Sequence, residues 1–232
     1  MATPTGSDRA SQAYRRLREL IVHGRLAPGA RIIETEVAGK LGISRTPVRA
    51  ALQRLQQEGY ILADDSASRA RPIVAPLTRE DADDLFEIVG GIESLGARRS
   101  AELDAERREG LVELLQEFND GMARLAQSDR PDRNRVFELD TDFHHEYMHA
   151  AAGPRLKALH DAIKPQAERY IRLHIHVLAD QIRTSVSEHQ EIVDAIREGS
   201  SGRAARAVWV NWKNAAARLG EVLEEVGERG SW

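Results

Sequence analysis

Apolar and polar positions alternate along this chain with two different rhythms. Tyr14, Leu17, Leu20 and Ile21 recur at helical spacing and predict a first helix from Ser11 to His23. Pro28-Gly29 then breaks the chain. A short second helix follows from Glu34 to Leu41, with Val37 and Leu41 facing inward and Gly42 placed for a left-handed C-cap. Ser44 stands at the N-cap of a third helix. Pro47 falls in its first turn, where a missing N–H costs nothing. Val48, Leu52 and Leu55 form its buried stripe, and Gly59 ends it. Two extended runs, Tyr60 to Ala63 and Pro72 to Ala75, joined by a polar tip from Asp64 to Arg71, predict a β-hairpin.

Beyond Pro76 the period is helical throughout. Six segments are expected: Thr78–Glu102, Asp104–Ala126, Arg133–Ala151, Pro154–Leu178, Asp180–Glu198 and Gly202–Val226. Thr78 with Asp81 reads as a capping box and Asp104 as an N-cap. The predicted fold class is mostly α. A flexible arm (1–10) precedes a winged helix-turn-helix of three helices and a hairpin wing (11–76). An all-α antiparallel bundle of about six helices (77–228) follows.

Charge sharpens this division. The chain of 232 residues has a net charge of −4, but residues 1–76 hold 12 Lys and Arg against 7 Asp and Glu, a net of +5. The remainder is correspondingly acidic, so the front alone is suited to a polyanion. There is no cysteine and no apolar run near membrane-spanning length, and the first eight residues lack the features of a signal peptide. The expected location is cytoplasmic, without membrane association.

A helix, a short turn and a second helix place the later helix in the DNA major groove. Arg45, Arg49 and Gln53 project together at i, i+4, i+8 from the exposed side of the third helix. Arginine there can form a bidentate pair with guanine O6 and N7.

The run "LAPGARIIETEVAGKLGISRTPVRAALQRLQQEGYI", residues 26–61, resembles the DNA-binding signature of the GntR family of bacterial regulators. The resemblance implies base contacts from Arg45 and Arg49. Ser44, Thr46, Pro47 and Gln53 would lie beside them, with Arg31 in the same signature. Wing-tip residues Ser68, Arg69 and Arg71 are expected near the minor groove or phosphates. Many members have a DNA-contacting arginine in the second helix; this chain has Thr35 there, so that contact is not carried over.

In the bundle, Asp140 and His144 share one helical face, and His189 lies on a later helix among Val186, Ile192 and Ile196. From spacing alone this is either a surface ion pair or part of a metal site. His145 and His149 are expected in solvent. "LDTDFHHEYMHAAAG" (139–153) and "SEHQEIVDAI" (187–196) resemble the FadR-type effector domain, the FCD domain, in its six-helix, VanR-like form. Metal-binding members hold a divalent ion with an aspartate, a histidine four residues later and two further histidines. Asp140, His144 and His189 match the first three, and the fourth position is Asn211. The resemblance implies a divalent metal, zinc or else nickel or manganese, held more weakly or completed by water because an amide replaces an imidazole.

Other positions concern the effector. Many members have an arginine where this chain has Val89, followed by Gly90-Gly91. The two glycines read either as room for a ligand or a close helix, or as an accident of packing. Arg169, Tyr170, Arg172, His174 and His176 lie on the fourth bundle helix, where Pro165 should introduce a kink. Arg169, Tyr170 and His174, with Val89, are the candidate effector contacts. Helical phase allows either the Gln166/Tyr170/His174 face or the Gln166/Arg169/His176 face to meet a ligand carboxylate. Trp209 and Trp212 beside Asn211 read as core.

The expected function is a homodimeric, ligand-responsive repressor of a catabolic operon, binding pseudo-palindromic double-stranded operator DNA. Its effector would be a small organic or aromatic carboxylic acid near the metal. The alternatives are a regulator for which the ion itself is the signal, and a metalloenzyme. No paired general base, activated nucleophile or oxyanion-hole motif favours an enzyme.

Overall fold

The computed structural model describes residues 6–64, 71–178 and 181–230. The chain divides into two compact units, 1–79 with 227–232, and 80–226.

In the first unit, α1 (Gly6–Val22), α2 (Glu34–Leu41) and α3 (Arg45–Gln57) precede β1 (Ile61–Asp64) and β2 (Arg71–Val74). Tyr14, Leu17 and Ile21 of α1 close on Val48, Ala51, Leu52 and Leu55 of α3, with Tyr60 and Ile61 completing one core. Helix α1 begins five residues before the expected Ser11, inside the segment read as a flexible arm. Gly42 adopts φ 65° and its N–H closes α2, as its place after Leu41 predicts. Ser44 has the extended N-cap backbone, but its side chain makes no capping hydrogen bond. The strands pair antiparallel from Ile61 opposite Val74 to Asp64 opposite Arg71.

The first unit also takes in residues 227–232, of which 227 and 228 fall within the 77–228 span expected for the bundle. Leu77 donates to the Arg229 carbonyl at 2.8 Å and accepts from the Arg229 N–H at 3.1 Å. The Glu228 carboxylate receives the N–H of Arg79 at 2.9 Å. Gly29 (φ 74°) lies so close to Gly230 that a Cβ on Gly29 would stand 2.7 Å from the Gly230 Cα. Here the glycine serves a close backbone approach as well as a turn. An isolated bridge of this kind leaves no periodic signal in a six-residue tail.

The second unit contains α4 (Arg79–Ala101), α5 (Ala105–Leu125), α6 (Arg133–Ala151), α7 (Pro154–Leu178), α8 (Ile182–Arg197) and α9 (Ser201–Val226). Asp104 caps α5 by accepting the Arg107 N–H, and Asp132 caps α6 through Asn134 and Arg135. Helix α5 packs on α6 and α8, α8 packs on α9, and α7 packs on both α6 and α9. Residues 85, 86, 89, 93, 96, 97 and 100 make the buried stripe of α4. Gly90 lets α9 approach: a Cβ there would meet the Trp212 Cβ at 2.9 Å, whereas Gly91 faces open space. The close-helix reading of the glycine pair therefore holds for Gly90. Trp212 is core, but Trp209 is exposed. Helix α7 runs continuously through Pro165.

Candidate functional site

On the first unit, Ser44, Arg45, Thr46, Arg49 and Gln53 lie exposed along the start of α3, and Arg31 is also exposed. Pro47 instead turns inward and is buried with Val48, so it supports the helix from the core side. Arg69 lies outside the described residues, as does the side chain of Arg71. Both α3 arginines converge on Glu34 of α2. Arg49 meets it in a two-point fork at 3.1 and 3.0 Å, and Arg45 reaches it at 3.4 Å. The hydrogen bond from Arg49, and secondarily Arg45, lowers the Glu34 pKa. Glu34 thus draws the two guanidiniums together, and its fork sets the plane of Arg49.

The second unit is built around a carboxylate that helical phase alone would give to the core. Glu93 lies on the stripe with Val89 and Ala97 and is completely buried. Its Oε1 accepts from Lys164 Nζ at 2.8 Å and His160 Nε2 at 2.9 Å. Its Oε2 accepts from His144 Nδ1 at 2.7 Å, the Tyr147 hydroxyl at 2.5 Å and Trp212 Nε1 at 2.7 Å. Burial alone would push the carboxyl up; the Lys164 ammonium and His144 override it and hold Glu93 well below the usual carboxylate range. Burial, then the Glu93 charge, raises the Tyr147 phenol well above its ordinary value, so it serves as a donor.

An ionised Glu93 can only accept, so each histidine nitrogen that meets it carries a proton. His144 carries a proton on Nδ1, and in the neutral ring the Nε2 lone pair is then on the other side. There it meets His189 and Asp140, whose potential ligand atoms, together with that of His144, all lie within 4.8 Å of one another. His189 Nε2 is 3.6 Å from Asp140 Oδ1. His189 is wholly buried, its ring is stacked on Phe143 at 4.1 Å, and neither ring nitrogen has a hydrogen-bond partner. Burial, reinforced by His144, Lys164 and Arg218, drives its pKa well below the imidazole range and keeps it neutral.

Asp140 and His144 open onto a cavity of about 70 Å³, several times the room one water needs. Phe86, Phe137 and Leu219 supply apolar wall, and Ser185, Asn211 and Arg218 supply polar groups. Glu188 organises the α9 side. It takes the Asn211 amide at 2.9 Å, the Asn214 amide at 2.8 Å and both Arg218 terminal nitrogens at 2.9 and 3.1 Å. With its nitrogen engaged, Asn211 has its carbonyl oxygen left for a ligand.

The effector candidates on α4 and α7 lie elsewhere. Val89, Arg169 and Tyr170 are buried but do not line this cavity. The Tyr170 hydroxyl donates to Asp81 at 2.6 Å, near the start of α4. The side chain of His174 lies outside the described residues. Sequence reasoning missed Glu93, Lys164, Glu188 and Arg218. A charged residue on an apolar stripe flags Glu93, and Arg218 is seven residues after Asn211, two turns along the same face.

Comparison with known proteins agrees with this division of labour. Residues 9–68 match the model of the bacterial regulatory proteins of the gntR family, and residues 84–212 match the FCD domain. A Streptomyces ambofaciens protein described as an uncharacterized HTH-type transcriptional regulator in an unstable DNA locus is 31% identical over 90% of this chain and 84% of its own length. The Escherichia coli HTH-type transcriptional repressor RspR is 28% identical over 81% of this chain and 88% of its own. Among solved structures, Escherichia coli McbR/YncC superposes with a TM-score of 0.69 at 19% identity, covering 96% of this chain and 99% of that one, a likeness of fold. No helix among the described residues is long and apolar enough to cross a membrane. With a helix-turn-helix front and an FCD bundle behind it, this chain belongs to the GntR family of DNA-binding transcription regulators and is not an enzyme.

Proposed function

We propose that this regulator is a ligand-responsive, dimeric repressor whose FCD domain holds a divalent transition metal at Asp140, His144 and His189. The observation that carries the reading is His189: a neutral, wholly buried imidazole with two unpartnered nitrogens, facing a carboxylate and a second imidazole. Buried polar atoms are otherwise satisfied in folded proteins, so an orphaned pair among ligand-type groups points to an ion. Glu93 has the role of the outer carboxylate that orients a ligating histidine, here through His144 Nδ1. The Asn211 carbonyl or water completes the set. A bound ion would supply a Lewis-acidic point for an effector carboxylate, and Arg218 on the cavity wall a second cationic group. The apolar walls suit a small organic or aromatic acid.

Front and back are joined by the chain itself at two places. It passes from Leu77 into α4, and from Val226 at the end of α9 into the tail paired with Leu77. Asn211, Trp212 and Arg218 of α9 all line the cavity. A shift of α9 on effector binding thus has a direct route to the DNA-binding unit. The repressor assignment draws on RspR, described as a repressor, and a cytoplasmic homodimer on a two-fold operator suits the family.

The metal reading is tested with untagged protein. Competition against a chromophoric chelator is expected to give a tightest-bound zinc ion whose affinity falls more than tenfold in His189→Ala. Equal affinity in the two proteins would contradict it.

A further inference from the structure

Beyond that centre, Glu93 faces a second group of ligand-type side chains. Its Oε1 accepts from His160 Nε2, so in the neutral ring the Nδ1 lone pair is on the opposite edge. His160 is almost wholly buried, and Nδ1 has no hydrogen-bond partner. It points toward Asp161 Oδ1, 3.7 Å away. His149 Nε2, on the last turn of α6, is 3.2 Å from the same Asp161 oxygen and also makes no hydrogen bond. The three ligand atoms all lie within 4.8 Å of one another. Donors about 2.0–2.1 Å from a tetrahedral zinc ion stand roughly 3.3 Å apart, so both separations from Asp161 are near those of a formed site. His149 is expected in solvent from its sequence position, but its side chain is only 19% exposed, with the His160 ring of α7 5.6 Å from its own.

We infer that His149, His160 and Asp161 form a second divalent transition-metal site, bridging the end of α6 and the start of α7, and that Glu93 is the outer carboxylate shared by both centres. Two imidazoles and one carboxylate suit zinc, nickel or cobalt rather than magnesium or calcium. Water fills the remaining positions on the exposed Asp161 side. Each Glu93 oxygen serves one centre: Oε2 orients His144 toward the first ion and Oε1 orients His160 toward the second. Three ligands, one of them exposed, make this the weaker of the two sites. An ion here ties α6 to α7.

The test uses untagged full-length chain and zinc alone, read by chelator competition, with cobalt(II) absorption as a second readout. Wild type is expected to bind two ions per chain, and His189→Ala to retain one, which raises its Tm. The double variant His149→Ala/Asp161→Asn is expected to lose the weaker ion and keep the tighter. Combining all three substitutions should abolish both binding and the Tm rise. Circular dichroism confirms that each variant is folded. If His149→Ala/Asp161→Asn leaves the number of bound ions and the zinc-dependent Tm of His189→Ala unchanged, the second site does not exist. If His189→Ala alone changes nothing while the double variant loses an ion, the second site stands and the metal reading of the first falls.

Discussion

Replacing Glu93 by alanine is expected to lower the stability of the helical unit by about 3–5 kcal/mol, the cost of breaking one partner out of a buried charge network. For a unit of this size that is on the order of 10–20 °C in Tm. The reason is what remains. Lys164 is buried against the Trp212 ring with its ammonium 4.4 Å from the ring centre, and it loses its only carboxylate at hydrogen-bond distance among the described residues. His144, Tyr147, His160 and Trp212 each lose an acceptor in the same place. Adding Lys164→Met removes the stranded charge and should recover part of the loss, because the two substitutions share one interaction. Thermal and urea unfolding of the single and double variants measure both effects. A Glu93→Ala protein within 1 kcal/mol of wild type would show that the network contributes little net stability.

Arg49→Ala is expected to weaken binding to the specific operator by roughly 1–3 kcal/mol while leaving random duplex DNA nearly unaffected, the signature of a lost bidentate base contact. Arg45→Ala should behave similarly. The two guanidiniums already lie side by side on Glu34, so part of the ordering cost of presenting them is met in the free protein. Selection of bound sequences from a random duplex pool supplies the operator, and fluorescence anisotropy gives both affinities. An equal loss on specific and random DNA would assign these arginines to phosphates instead.

Much of this was legible in the sequence because local rules governed it. The α2 boundary at Gly42 and the cap at Asp104 follow from residues within one turn of each other, and the two strands follow from their own short extended runs. Asp140 and His144 share a face by simple periodicity, and His189 joins them only because α8 packs where it does. Less local features were hidden. The tail pairing joins Leu77 to Arg229, two residues of the first unit separated in sequence by the whole of the second. The burial of Glu93 was marked by its phase on α4, but its five donors come from three other helices: the i, i+3 pair His144/Tyr147 on α6, the i, i+4 pair His160/Lys164 on α7, and Trp212 on α9, and nothing local links one helix to the next. Pro47 shows the limit of a family signature: it stands within the DNA-reading motif yet faces the core.

The central claim is that the cavity beside Asp140, His144 and His189 controls DNA binding. Its most direct test is operator affinity by anisotropy for zinc-loaded wild type and His189→Ala, each titrated with small di- and tricarboxylic acids and benzoates. At least one acid should change the wild-type Kd for operator tenfold or more, a coupling of about 1.4 kcal/mol, and should leave His189→Ala unmoved. An operator Kd that is the same for wild type with and without zinc and every acid would contradict the account.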